Sequence, residues 1–276
     1  MLALHGTPGS RLMFALSHKA ARERCVRLIA PERPGYGLSD YRYAESLARV
    51  AEDLSIVANA YGLDRFAVMG VSGGGPHAVA AAAAMRDRIS LLALVVPVGE
   101  VADGELRLSG FHRFLFKGVA RIPWAIRVFF RGLRSMVFKS PDTAYRWLMR
   151  GVCAPDRQVL AQSHVRASLQ AAIREGLRPG IEGAAQDLRL YCAPWRLRLA
   201  DIDVPAIVWQ GSDDPVVPPA AAYALARALP NCRLEVIPAA GHYWIFARLG
   251  LILDAVVAAL RADAASGGAT SAKQID

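Results

Sequence analysis

The stretch Phe66-Ala-Val-Met-Gly-Val-Ser-Gly-Gly-Gly75 opens on an uninterrupted apolar run, turns at a serine flanked by glycines, and leads into the alanine-rich segment that ends at Met85. The first part reads as a buried strand and the last as a helix, because short apolar runs bounded by glycine suit strands and alanine is the strongest helix former. A strand that becomes a helix within so few residues brings the two backbones into near contact. Side chains at Gly70 and Gly74 would collide there, so the pattern raises Ser72 on a sharp turn as a candidate nucleophile. The lysine of a phosphate loop is absent and GxGxxG does not fit, which argues against a phosphate cradle.

Working outward, apolar runs recur at Leu2 to Leu4, Val26 to Ala30, Phe66 to Gly70, Leu91 to Pro97, Ala206 to Trp209 and Leu234 to Ile237. Helical patterns separate them at Ser39 to Tyr61, Gly73 to Met85, Pro219 to Leu229 and Tyr243 to Ala262. Alternation of this kind predicts an α/β fold, a mainly parallel sheet flanked by helices. Residues 103–199 break the pattern: the segment is rich in Arg, Trp, Phe and Leu and has no clear strand. An all-helical insertion between parallel strands is expected to form a cap over the carboxyl edge of the sheet, where α/β proteins place their sites. The division is then a core of residues 1–102 and 200–262, the cap, and a small, polar tail of residues 263–276 that is expected to be disordered.

A serine nucleophile needs a base, and the base needs an orienting carboxylate. The strand ending in Ile207-Val-Trp-Gln-Gly is followed by Ser-Asp-Asp-Pro-Val-Val-Pro218, and the strand ending at Ile237 by Pro-Ala-Ala-Gly-His242. Ser72, Asp214 and His242 therefore occur in the order Ser, Asp, His. Asp213 ranks second as the acid, and Glu100 or Asp103 is an alternative position. His77, five residues past Ser72 on the same helix, is expected to point away from the turn, packed or in solvent. His18, His112 and His164 read as surface residues, and His5 as a loop-shaping one.

These residues resemble the α/β-hydrolase superfamily, specifically its cap-bearing single-domain serine hydrolases. The shared motifs are HGxPGS at His5 to Ser10, RPGxGxS at Arg33 to Ser39, GxSxG at Gly70 to Gly74, GxxDxxxP at Gly211 to Pro218, and Gly241-His242. The resemblance implies an acyl-enzyme mechanism on a carboxylic ester or related carbonyl substrate, with Ser72 as nucleophile, His242 as base and Asp214 as its partner. It also implies an oxyanion hole made by the backbone N–H groups of Thr7 and Gly73, for which the Thr7 side chain need not matter. The glycines and proline of Arg33 to Ser39 are read as structural punctuation. Proline iminopeptidase-type peptidases and carbon-carbon bond hydrolases use the same triad, and a non-catalytic binding protein on the same fold is the reading from another class. The family sheet normally has two strands ahead of the one carrying HGxPGS. If Met1 is the true start both are missing and Val26 to Ala30 becomes an uncovered edge, so either the true start is expected a few tens of residues upstream or this form is expected to be poorly stable.

The composition is compatible with this reading. The chain has 276 residues with 54% apolar content, and its mean hydropathy of +0.24 supplies ample core. The longest apolar runs, such as Ala78 to Met85, fall short of the roughly 18 residues a membrane span needs. The default location is the cytoplasm, since the N-terminal stretch lacks secretory features. Cys25, Cys153, Cys192 and Cys232 lack metal-ligand spacing and predict neither zinc nor a disulfide framework, and no metal or organic cofactor is required. A net charge of +9 raises an acidic partner, but no nucleic-acid-binding motif accompanies it, so the expected partner is a small-molecule substrate. Arg113, Lys117, Arg121, Arg127, Arg131 and Arg134 would share one face of a helix from Phe111 to Arg134, although Pro123 should break it. A lid with a solvated basic face is favoured there over membrane contact. The aromatic residues Phe111, Phe114, Trp124, Phe129, Trp147 and Trp195 suit a packing core better than a pocket wall.

Overall fold

A computed structural model describes residues 1–100 and 114–271 of the chain. Five strands form one sheet: β1 (Leu2–Leu4), β2 (Phe66–Val71), β3 (Ile89–Val95), β4 (Ala206–Gly211) and β5 (Cys232–Ile237). They lie side by side in that order and every neighbouring pair is parallel. Each strand is followed by helical structure, as parallel connections require. Helix α1 (His18–Glu23) and helix α2 (Leu47–Ala60) lie between β1 and β2, and α3 (Gly75–Ala84) between β2 and β3. The helical stretch between β3 and β4 contains α4 (Pro123–Lys139), α5 (Pro141–Leu148), α6 (Ala154–Ala161), α7 (Ser163–Gly176) and α8 (Glu182–Cys192). Helix α9 (Pro219–Ala228) joins β4 to β5, and α10 (Ile245–Ser271) follows.

Both faces of the sheet are covered, which explains why its strands read as continuous apolar runs. Leu2, Leu4, Val68, Leu92, Leu94 and Val208 point to one face, against α2, α3 and α9. Ala3, Ala67, Met69, Val71, Leu91, Ala93 and Val95 alternate to the other, against α1 and the Ile252, Leu253 and Val256 side of α10.

The expected strand at Val26 to Ala30 contracts to one bridge, Leu2 opposite Ile29. Its hydrogen bonds are Ala3 N–H to Ile29 C=O at 2.8 Å and Ile29 N–H to Met1 C=O at 3.0 Å. A three-residue β1 offers few ladder positions, and Pro31, which has no N–H to donate, follows at once. Helix α10, kinked at Arg248, extends to Ser271, past the boundary expected for a disordered tail. Residues 272–276 lie outside the described residues.

The inserted helices have an apolar cluster of their own. On α4, Ile126, Phe130, Leu133 and Val137 recur every three or four residues and pack with Leu177, Ile181, Ala184 and Leu188. Pro123 begins α4 instead of interrupting a longer helix, since its fixed φ suits a first turn. The single basic face is therefore split. Arg127 and Arg131 are exposed, whereas Arg134 donates to the carbonyls of Leu177 and Arg178. Phe129 packs against Phe130 and Trp147, and Trp195 is buried. Trp124 and Phe114, by contrast, are exposed. Asp103, Phe111, His112 and Arg113, and the side chain of Lys117, lie outside the described residues.

Candidate active site

At the carboxyl end of β2, Ser72–Gly74 forms one 3-10 turn that leads straight into α3. Ser72 has φ of +53°, the left-handed region that L side chains avoid. The surrounding packing holds it there. A Cβ at Gly70 would lie 2.6 Å from the Gly74 carbonyl oxygen, and one at Gly74 would lie 2.2 Å from that of Leu4. The glycines permit β1, β2 and α3 to meet, and the strained serine projects from the junction.

His242 follows β5 and Asp214 follows β4, two neighbouring strands whose loops converge on this junction. His242 Nε2 is 3.0 Å from Ser72 Oγ, and His242 Nδ1 is 2.8 Å from Asp214 Oδ2. An ionised carboxylate only accepts, so Nδ1 carries the proton and Nε2 is left to accept from the serine hydroxyl. Asp214 and His242 are both buried. Asp214 is fixed on every side: its Oδ1 accepts the N–H groups of Val216 and Val217 at 2.8 and 2.9 Å, and its Oδ2 accepts from Gln210 Nε2 at 3.1 Å. Asp213 instead takes its own neighbour's hydroxyl, Ser212 Oγ, in an exposed position. Glu100 accepts from the Trp195 N–H at 2.8 Å and has a structural role.

Thr7 and Gly73 lie side by side. A Cβ on Gly73 would approach Thr7 Oγ1 to 2.5 Å, and one on Gly6 would be 3.5 Å from Ser72 Cβ. Among the described residues, no protein acceptor takes the backbone N–H of either Thr7 or Gly73. The neighbouring Gly6 N–H is occupied by Met13 Sδ at 3.3 Å.

Residues that sequence reasoning missed complete the surroundings. Asp156, on α6 and 1% exposed, accepts the His242 N–H on Oδ2 at 2.6 Å and the Tyr243 N–H on Oδ1 at 2.9 Å. Behind Thr7 lies a buried polar cluster centred on Asp187 of α8. His77 belongs to it: the side chain is buried, not solvated, with Nε2 3.0 Å from Asp187 Oδ1. Burial pushes the His77 imidazole below its usual range despite the carboxylate beside it, so it donates as a neutral ring. Burial opposes ionisation of Asp187 too, but Arg33 and His77 hold its carboxyl well below the usual range. Arg33 and Tyr36, expected only to surround structural glycines, both reach Asp187 Oδ2 at 2.6 Å. His5 shapes its loop as expected, with Nδ1 2.8 Å from the Gly6 carbonyl oxygen, while His18 and His164 are exposed.

A recess of about 360 Å³ opens beside this cluster, between the Gly35 to Tyr41 turn and the segment from Arg178 to Glu182. None of Ser72, Asp214 or His242 lines it.

A doubly covered parallel sheet with a strained serine at the β2–α3 turn, and an acid and a histidine on the next loops, defines the hydrolase class built on this architecture. The chain belongs to the alpha/beta hydrolase family, whose pattern matches residues 1–255. It is 25% identical over 234 residues to a putative carbamate hydrolase, RutD, from Cronobacter sakazakii (strain ATCC BAA-894), covering 83% of this chain and 78% of that one. Among solved structures it is similar to a thermophilic esterase from Thermogutta terrifontis, with TM-score 0.66, 24% identity, and 94% and 88% of the two chains covered. An esterase from Exiguobacterium antarcticum superposes with TM-score 0.69 at 19% identity, over 94% of this chain and 91% of its own. The chain is accordingly an enzyme of the hydrolase class.

Proposed function

We propose that the chain is a serine hydrolase that cleaves a carboxylic ester or related carbonyl compound through an acyl-enzyme. The observation that carries this reading is the unbroken hydrogen-bonded line from Ser72 Oγ through the His242 ring to Asp214. His242 Nε2 accepts the serine proton as Oγ attacks the carbonyl carbon, and Asp214 stabilises the imidazolium that forms. The oxygen of the tetrahedral intermediate takes the charge, and the N–H groups of Thr7 and Gly73 face it. Such donors are often the largest single contribution to the rate. His242 then gives its proton to the departing oxygen, leaving Ser72 acylated. Water, deprotonated by the same imidazole, attacks the acyl carbon and releases the acid.

In this reading, residues 103–199 are a cap that bounds the substrate. The names of the similar proteins support esters and carbamates as the first compounds to test. A fluorophosphonate probe should label the wild type and not Ser72→Ala. Asp214→Asn should lower kcat by about three to four orders of magnitude, because the imidazole loses its orienting charge. A panel of p-nitrophenyl esters, aryl carbamates and aminoacyl-proline amides identifies the bond. Labelling that persists in Ser72→Ala would overturn the assignment.

A further inference from the structure

Helix α8 reaches into the site at two positions one turn apart. Asp187 and Tyr191 are four residues apart and so share a helix face. Both side chains are buried, and each meets one of the two residues assigned above as oxyanion donors. Thr7 Oγ1 donates to Asp187 Oδ2 at 2.7 Å and lies 2.7 Å from Tyr191 Oη. Tyr191 Oη is also 2.6 Å from the carbonyl oxygen of Gly73, so its single proton serves Gly73 or Thr7.

Asp187 is held rigidly enough to act as an anchor. Its Oδ2 also accepts from Arg33 Nη2 and Tyr36 Oη, both at 2.6 Å, and its Oδ1 faces His77 Nε2 at 3.0 Å. Arg33 extends the grip to the same loop from behind, with Nη1 on the His5 carbonyl oxygen at 2.5 Å and Nη2 on Thr7 Oγ1 at 3.0 Å. The Thr7 hydroxyl thus has Asp187, Arg33 and Tyr191 around it, although it belongs to a loop whose work is done by a backbone N–H. A buried pair of opposite charges contributes little to stability against an apolar replacement, but a fully hydrogen-bonded one imposes a fixed geometry. Here that geometry is imposed on the loop between β1 and α1.

We propose that Asp187 is a positioning residue for the oxyanion hole, acting through the Thr7 hydroxyl, so that the inserted helices hold the stabilising N–H groups in place. The inference rests on the serine hydrolase reading, and the experiment separates the two. If wild type is neither labelled by fluorophosphonate nor active on any compound in the panel, that reading fails. Given an active wild type, Thr7→Val keeps the N–H and the side-chain shape but removes the hydroxyl. It should lower kcat at least about tenfold, less than the loss of a whole donor, with KM within about threefold. Thr7→Ser should restore kcat to within about threefold of wild type, and Asp187→Asn should behave as Thr7→Val does. A purely structural role would leave one further measurement untouched, the affinity for a trifluoromethyl ketone. Its adduct with Ser72 places an oxyanion in the hole, so its affinity should fall in parallel with kcat/KM. A folded Thr7→Val with kcat within threefold of wild type and unchanged ketone affinity overturns the proposal. If Thr7→Val or Asp187→Asn does not fold, Thr7→Ala decides, since it too removes the hydroxyl that Asp187 holds: lost ketone affinity supports the proposal and retained affinity overturns it.

Discussion

His5 makes the protein acid-sensitive in a way that one substitution can isolate. The ring is completely buried, with its edge against the Tyr36 ring at 4.9 Å between centroids. Burial, and then the Arg33 guanidinium, push the His5 imidazole well below its usual range. A folded-state value below the unfolded one means that the unfolded chain takes up a proton below about pH 6.5 and the folded chain does not. Stability from this group is therefore complete above pH 6.5 and is lost as the pH falls. Moving from pH 7.5 to 5.0 should therefore lower the wild type's stability through His5, by no more than about 2 kcal/mol, the limit set by the unfolded imidazole alone. His5→Asn retains a side-chain N–H where Nδ1 now meets the Gly6 carbonyl, and it does not titrate. Loss of the ring should cost the variant about 1–2 kcal/mol at pH 7.5. Urea unfolding of both proteins at the two pH values gives the comparison. The deficit of the variant should shrink or reverse at pH 5.0. A deficit equal at both pH values to within about 0.5 kcal/mol would show that His5 titrates normally in the folded protein, and the reasoning would fail.

Three other outcomes follow from the geometry. Ser72→Gly should unfold at a higher urea concentration than Ser72→Ala, by about 1 kcal/mol, because alanine keeps the positive-φ strain and glycine releases it. Gly74→Ala places a methyl group 2.2 Å from the Leu4 carbonyl oxygen, which β1 cannot yield without moving the Thr7 loop; kcat/KM should fall by about two orders of magnitude, and retained activity would mean that the junction is pliable. Asp156→Ala leaves the buried N–H of His242 and the part-buried N–H of Tyr243 without their acceptor; unfolding measurements should show a loss of about 2–4 kcal/mol, with kcat falling as the proposed base loses its support.

The strands and the serine turn were legible because their signals are local. Gly70, Ser72 and Gly74 lie within five residues, and the continuous apolar run before them and the alanine-rich run after them are enough to place a strand before and a helix after. That the loops bearing Asp214 and His242 meet was legible for a related reason: each follows a strand, and parallel strands deliver their trailing loops to one edge. Asp187 and Asp156 were not, since their partners are far away in the chain, Arg33 lying 154 residues from Asp187 and His242 lying 86 from Asp156. A partial signal existed. Ala184, Leu188 and Tyr191 make the apolar stripe of α8, and a carboxylate beside that stripe has to find a buried partner. His77 gave the same hint, as a polar residue in a helix with hardly any exposed side. The strand expected at Val26 to Ala30 failed for the opposite reason: apolar character measures readiness to pair, and the number of pairs is set by the neighbour.

The hold of Asp156 on the His242 loop also bears on protein engineering. A segment of independent helices between two strands invites exchange, as a cassette for transplanting substrate preference from one relative to another. Here the cassette would carry away the acceptor that fixes the backbone of the histidine, so a chimera would lose turnover before any change in selectivity could be read. A productive graft has to bring a carboxylate at the place of Asp156, or leave α6 behind.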